Sequence, residues 1–296
     1  MSNILSVNDI SKNYGSVKAL QNVSFDVPTG SVFGILGPNG SGKTTLLGGI
    51  MDVLKMTSGS YKLFEEPANE SHRKRIGTLL ETPNFYHYLS GEANLKIAAG
   101  IKQRGLNDID RVLKIVNLYQ RKTSKFSTYS LGMKQRLAIA SCLLGNPEVM
   151  VFDEPTNGLD PEGIAEIRGL IKTLHAEGKT IIMASHLLDE VEKVCTHVAI
   201  LKFGKLLATG HVNEILATED IVELGATNIA SLKDVLGKLN GYNSLQRFEN
   251  YVHLYYSSGK ADLQELNSFC FENGVVLNHL AVKRKSLEAK FFELTN

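Results

Sequence analysis

The sequence predicts an α/β protein with a mixed, mostly parallel sheet core, followed by a small α+β unit. Three observations predict it. Val32–Leu36, Val149–Phe152 and Thr180–Ala184 are short apolar runs without alternation, the pattern of strands buried on both faces. The first two lead into helical periods, through Leu46, Leu47, Ile50, Met51 and Leu54, and through Ile164, Ile167, Leu170, Ile171 and Leu174. Beyond about residue 217 the pattern changes to alternating strands between short helices.

The whole chain sets bounds first. Its 296 residues allow one large domain or two smaller ones. Lys and Arg total 32 against 31 Asp and Glu, a net charge of +1 that gives no reason to expect nucleic acid as a partner. Cys142, Cys195 and Cys270 are widely separated in apolar surroundings and read as reduced core residues, not a disulfide set. No stretch approaches the roughly 18 apolar residues of a membrane span, and the N-terminus lacks the regions of a signal peptide. If the protein works at a membrane, another chain supplies the span.

Residues 4–10 alternate and read as a strand, and Val23–Val27 as a second, ended by Pro28-Thr-Gly30. Tyr14 sits by Gly15 in a turn between them; its ring could stack on a base, although taken alone a core or surface Tyr is the more ordinary reading. The run Gly37-Pro38-Asn39-Gly40-Ser41-Gly42-Lys43-Thr44-Thr45 fits G-x-x-x-x-G-K-[ST], with a strand before it and a helix after. Polyphosphate needs many donors in little space. Glycines 37, 40 and 42 let the backbone wrap closely with its N–H groups inward, and the helix N-terminus adds partial positive charge. Lys43 is expected to reach the β- and γ-phosphates of a nucleoside triphosphate, and the Thr44 hydroxyl to bind Mg²⁺.

Strands are expected at Tyr61–Phe64 and Ile76–Leu80, then an aromatic-rich loop from Glu81 to Tyr88. Helical stretches follow from Ser90 and over Ile109–Leu118, so that about 85–145 reads as a nested helical subdomain. Ser130 is a good N-cap for the clearest helix, which Gly145-Asn-Pro147 stops. The buried run at Val149 ends in Asp153-Glu154. Two carboxylates there are costly unless they bind something positive, and ligands of such sheets sit beyond the carboxyl ends of strands. Asp153 is therefore the expected Mg²⁺ partner and Glu154 is placed to polarise a water, against the plainer reading of a helix-capping acidic pair. Asp160 caps the next helix, with Pro161 at its first position. His186 closes the strand at 180–184 and can converge on the same phosphate, though a lone His is more often structural. Residues 198–209 read as a hairpin.

In order, these motifs give the chain a close resemblance, over about residues 1–217, to the ATP-binding subunits of ABC transporters. Tyr14 matches the aromatic A-loop that stacks on adenine, Gly37–Thr44 Walker A, Ser130-Leu-Gly132-Met-Lys-Gln-Arg the signature motif, Val149–Glu154 Walker B with its catalytic Glu, Gly158-Leu-Asp160 the D-loop and His186 the switch histidine. The resemblance implies a P-loop NTPase cassette with an N-terminal antiparallel β subdomain, and ATP and Mg²⁺ as its ligands. It also implies a second ATP-binding subunit whose Ser130, Gly132 and Asp160 complete the site in trans. A separate membrane permease is the other implied partner, which places the chain on the cytoplasmic face of the membrane. Two departures narrow the subfamily. The signature reads Tyr129-Ser130-Leu131-Gly132-Met133, and the Q-loop glutamine, a catalytic and Mg²⁺-side position, is Glu81. Both resemble bacitracin- and lantibiotic-type exporters. The alternative is a soluble ABC ATPase acting on ribosomes or DNA. Such proteins usually fuse two cassettes or carry a coiled-coil insert, and this chain has one cassette and no heptad run.

Residues 218–296 are expected to form an accessory α+β domain, with strands at 221–224, 251–256 and 275–282 and helices at 229–239, 263–271 and 286–294. The order suggests a ferredoxin-like unit. Its Tyr251, His253 and Tyr255 face reads either as a binding surface or, more simply, as a half-buried strand packed on another element.

Overall fold

The computed structural model describes residues 2–80, 84–216, 219–257, 259–284, 287–288 and 290–291. Two compact units divide between Gly210 and His211. That is earlier than the expected 217/218 boundary, because the short helix Val212–Leu216 groups with the second unit.

The first unit opens with a long hairpin, β1 (Asn3–Tyr14) and β2 (Val17–Pro28). The strands expected at 4–10 and 23–27 are its inner halves. Residues between them continue the pairing to Tyr14 opposite Val17, through shifts of register that break strict alternation. After β3 (Val32–Leu36) and α1 (Lys43–Ile50), β4 (Ser58–Leu63) pairs antiparallel with β1 and carries the short β5 (Glu66–Pro67). These strands make a four-stranded antiparallel sheet in the order β2-β1-β4-β5.

A one-turn helix, α2 (Glu70–Arg73), leads to β6 (Ile76–Leu79). Three helices follow: α3 (Gly91–Lys102), α4 (Ile109–Ile115) and α5 (Leu131–Leu143). Ser130 caps α5 by accepting from the Met133 N–H at 3.2 Å. Then come β7 (Val149–Asp153), α6 (Pro161–Ala176), β8 (Thr180–Ser185), α7 (Leu188–Val194), β9 (His197–Lys202) and β10 (Lys205–His211). The six-stranded sheet runs β10-β9-β3-β8-β7-β6, and β9, β3, β8, β7 and β6 are mutually parallel. All residues of β3, β7 and β8 are buried, which is why their sequences do not alternate. Their adjacency puts three carboxyl ends side by side: β3 enters the glycine loop, β8 ends just before His186 and β7 just before Glu154. Close packing here depends on glycine: a Cβ on Gly34 would lie 2.7 Å from Val191 Cγ1.

In the second unit α8 (Val212–Leu216) precedes β11 (Glu219–Ala226), α9 (Ile229–Leu236), β12 (Ser244–Arg247), β13 (Val252–Ser257), α10 (Leu263–Glu272) and β14 (Leu277–Arg284). The antiparallel sheet has the order β12-β13-β11-β14. From β11 onward the succession is βαββαβ, the split βαβ arrangement of ferredoxin-like units. β12 was not expected, and the last strand begins two residues later than expected. The helix expected at 286–294 falls mostly outside the described residues, within which 287, 288, 290 and 291 are helical. Val222, Leu224, Leu254, Leu232 and Leu266 form this unit's own core.

The opposite face of the same sheet is polar and aromatic. Glu223, only 5 % exposed, receives His253 Nε2 at 2.8 Å and Lys283 Nζ at 2.5 Å, and His279 Nε2 lies 3.1 Å from its other oxygen. Burial pushes the Glu223 carboxyl up. The bonds and charges of Lys283 and His253 outweigh that and hold it below its ordinary range. All three cysteines are buried, and burial pushes each thiol up, that of Cys142 to about 11.

Candidate active site

The loop after β3 is shaped by close approaches. A Cβ on Gly37 would lie 2.3 Å from the Leu201 carbonyl oxygen and 2.4 Å from Ser41 Oγ. Gly42, at φ +104°, caps α1, and a Cβ there would lie 2.6 Å from the Ala19 carbonyl oxygen. Gly40, at φ +79°, faces open space. The backbone thus folds tightly on the protein side and stays open on the other, as a phosphate cradle must. Ser41 Oγ is buried and has no hydrogen-bond partner among the described residues.

Lys43 is only 6 % exposed. Its ammonium folds back to donate to the Gly37 carbonyl at 2.8 Å and the Pro38 carbonyl at 3.3 Å, and lies 3.4 Å from Glu154 Oε1. Glu154 has a left-handed φ of +48°, with its N–H donating to the Ala184 carbonyl at 3.0 Å. This kink after β7 aims the carboxylate at the loop; strain of this kind gathers at functional positions. His186 Nδ1 lies 2.8 Å from Glu154 Oε2. An ionised carboxylate only accepts, so Nδ1 carries the proton and the Nε2 edge turns away from Glu154. Lys43, Glu154 and His186, read from three separate stretches, are therefore one connected group. Asp153, 5 % exposed, ends β7 one residue earlier.

Among the described residues, the cavity against this loop is walled by Asn39, Lys43, Thr44 and Glu154, and on its other side by Val17 and Phe203. Tyr14 does not line it. Tyr14 stands opposite Val17 at the tip of the hairpin, 47 % exposed, with Lys12 Nζ 4.8 Å from its ring centre. Sequence reasoning missed Val17 and Phe203. The available signal was an aromatic beside glycine in a predicted hairpin turn, where a polar residue is usual.

Ser130, Gly132 and Asp160 are not part of this cavity. They line a second one together with Leu131 and Arg136. Asp160 caps α6 by accepting from the Gly163 N–H at 2.9 Å, and a Cβ on Gly132 would meet nothing within 4 Å. The expected roles of Glu81 fall outside the described residues. A third cavity lies between the aromatic loop and α3, lined by Tyr86, Ile97 and Ile101, with Tyr86 held by the buried Asn94 at 2.8 and 3.1 Å.

For Mg²⁺ the remaining donor set is the Thr44 hydroxyl and the Asp153 carboxylate, both hard oxygens. No group of three acidic, His or Cys side chains able to hold a metal occurs among the described residues. Two protein oxygens suit an ion whose other ligands are waters and substrate phosphates.

Residues 20–157 match the ABC transporter family profile. The chain is 37% identical over 99% of its length to the bacitracin transport ATP-binding protein BcrA of Bacillus licheniformis, covering 98% of that protein. It is 35% identical over 69% of its length to the lantibiotic transport ATP-binding protein SrtF of Streptococcus pyogenes, covering 89% of that protein. Among solved structures it resembles a dimeric post-hydrolysis state of an ATP-binding cassette bound to ADP and Pi. The TM-score is 0.61 at 26% identity, over 70% of this chain and 98% of that one.

Proposed function

The chain belongs to the ABC transporter family of ATP-binding subunits, and from that premise we propose that it drives export through a separate membrane permease. The cargo proposed is an antimicrobial peptide or a related drug- or lipid-like molecule. What supports this cargo class is similarity to a bacitracin transport protein along the whole chain, second unit included.

Two copies would sandwich two ATP molecules, each glycine loop facing Ser130, Gly132 and Asp160 of the other copy. The location of those three residues in a cavity of their own favours that arrangement. One observation carries the hydrolytic reading: Glu154 is held between Lys43 and His186 at the lip of the loop. On ATP binding the Lys43 ammonium exchanges the Gly37 and Pro38 carbonyls for phosphate oxygens, which releases Glu154 to accept a hydrogen bond from water. Glu154 then orients that water for in-line attack on the γ-phosphate, and His186, steered through Nδ1, holds the γ-phosphate and the water. Thr44 and Asp153 would hold Mg²⁺, which would supply neutralisation of phosphate charge. Tyr14, outside the cavity but paired with Val17 of its wall, is the proposed stacking partner of adenine.

The cavity at Tyr86, Ile97 and Ile101, with the exposed Tyr88 beside it, is the proposed seat of the permease. No helix among the described residues is long and apolar enough to cross a membrane; the proposed place of the chain is the cytoplasmic face, reached through the permease.

Glu154→Gln tests the mechanism. It should bind ATP, hydrolyse it about 100- to 10,000-fold more slowly, and elute as a dimer when ATP and Mg²⁺ are present. Hydrolysis at the unsubstituted rate would remove Glu154 from the chemistry.

A further inference from the structure

Phe203 is out of place by ordinary folding rules. It occupies the first position of the two-residue turn between β9 and β10, at φ +49°, with Gly204 at φ +74°. Such turns favour Asn, Asp or Gly, since a bulky side chain at positive φ is strained. The ring is also 72 % exposed, so the protein gains little burial from it. Strain and exposure together point away from a folding role.

The turn is nevertheless firmly held. Gln21 N–H donates to the Gly204 carbonyl at 2.8 Å, and Gln21 Nε2 to the Phe203 carbonyl at 2.9 Å. The Gly204 N–H donates to the Ser41 carbonyl, inside the glycine loop, at 3.0 Å. A Cβ on Gly204 would lie 2.5 Å from the Ala19 carbonyl oxygen, so only glycine lets the turn sit this close to β2. These contacts fix the Phe203 backbone to the phosphate loop itself. Its ring and Val17, also exposed at 63 %, are apolar walls of the cavity that Lys43, Thr44 and Glu154 also line.

We infer that Phe203 is a nucleoside-contact residue: its ring forms an apolar wall for the base and ribose of the bound nucleoside triphosphate. The inference rests on the nucleotide-binding reading of the glycine loop and adds an aromatic contact to the one assigned to Tyr14. Aromatic faces accept bases without hydrogen-bond readout, so Phe203 adds affinity for the nucleoside and none for the phosphates.

Equilibrium titration of the full chain with ATP and, separately, with inorganic tripolyphosphate, both with Mg²⁺, tests it. Phe203→Asn suits the turn and should melt at the same or a higher temperature. It should bind ATP about five- to a hundredfold more weakly and tripolyphosphate equally well, while Phe203→Tyr restores ATP binding. Unchanged ATP affinity in Phe203→Asn overturns the inference, and so does an equal loss for both ligands, which would make the residue a support of the loop. Lys43→Ala separates the two levels: it should weaken both ligands. If the unsubstituted chain binds neither, the nucleotide reading itself fails.

Discussion

Single residues here often serve the fold and the chemistry through different atoms, and substitutions can separate the two. Ser130 caps α5 with its hydroxyl, so its loss would cost about 1 kcal/mol of helix stability as well as any phosphate contact. Gly132 gives a cleaner test. It lies in the first turn of α5, and a Cβ there meets no atom of the described residues within 4 Å. Gly132→Ala should leave stability unchanged or raise it by up to about 1 kcal/mol. In the proposed two-copy sandwich the methyl group would stand against the opposite copy's γ-phosphate, so phosphate release should fall at least roughly tenfold, the effect of about 1.4 kcal/mol in the transition state. An unaltered ATPase rate with an unaltered melt would show that no phosphate comes to this surface. Gly34 illustrates the reverse: its Cβ position is occupied by Val191, so Ala there should lose stability by about 1–3 kcal/mol from overpacking.

At the scale of elements, the sheets differ in how much of them the sequence discloses. β3, β7 and β8 are legible because burial on both faces leaves unbroken apolar runs, and parallel order then places Lys43, Glu154 and His186 together. β12 is not legible: it is an edge strand, Ser-Leu-Gln-Arg, in which only Leu245 is apolar. The outer halves of β1 and β2 were hidden by irregular register and exposed polar side chains. Phe203 was hidden for a related reason, since pattern reading assigns exposed turn residues to solvent. The Glu223 cluster belongs to this scale too, because pairing between strands creates it: Glu223 opposes His253 across β11 and β13, and Lys283 and His279 come from β14. A carboxyl held below its ordinary value stabilises the fold above the ordinary carboxylate range. That contribution is lost as pH falls through the depressed folded value. The second unit should therefore lose stability below about pH 4.5, and Glu223→Gln should flatten that acid limb in melts followed from pH 3 to 7. An equally steep limb in the variant would assign acid sensitivity to other carboxylates.

At the scale of the whole molecule, the described residues include a core around Ile35, Val151 and Ala199 in the first unit and another around Leu224 and Leu254 in the second. Each unit should respond to its own ligands. With the Glu154→Gln chain and ATP at about a hundred times its Kd, the nucleotide unit gains about 2.7 kcal/mol. Its calorimetric transition should rise by roughly 5–10 °C while that of the second unit stays in place. A common shift of both would mean that they unfold as one.

The burial of Cys142, Cys195 and Cys270 has a practical consequence. A thiol reacts as its thiolate, and all three are both shielded and held protonated. The native chain should show no fast thiol toward a disulfide reagent, and all 3 after denaturation. A cysteine introduced at exposed Leu131 would then be the single addressable site, ready for a spin label or fluorophore. The opening and closing of two copies around ATP could be followed as a distance without first removing a native side chain.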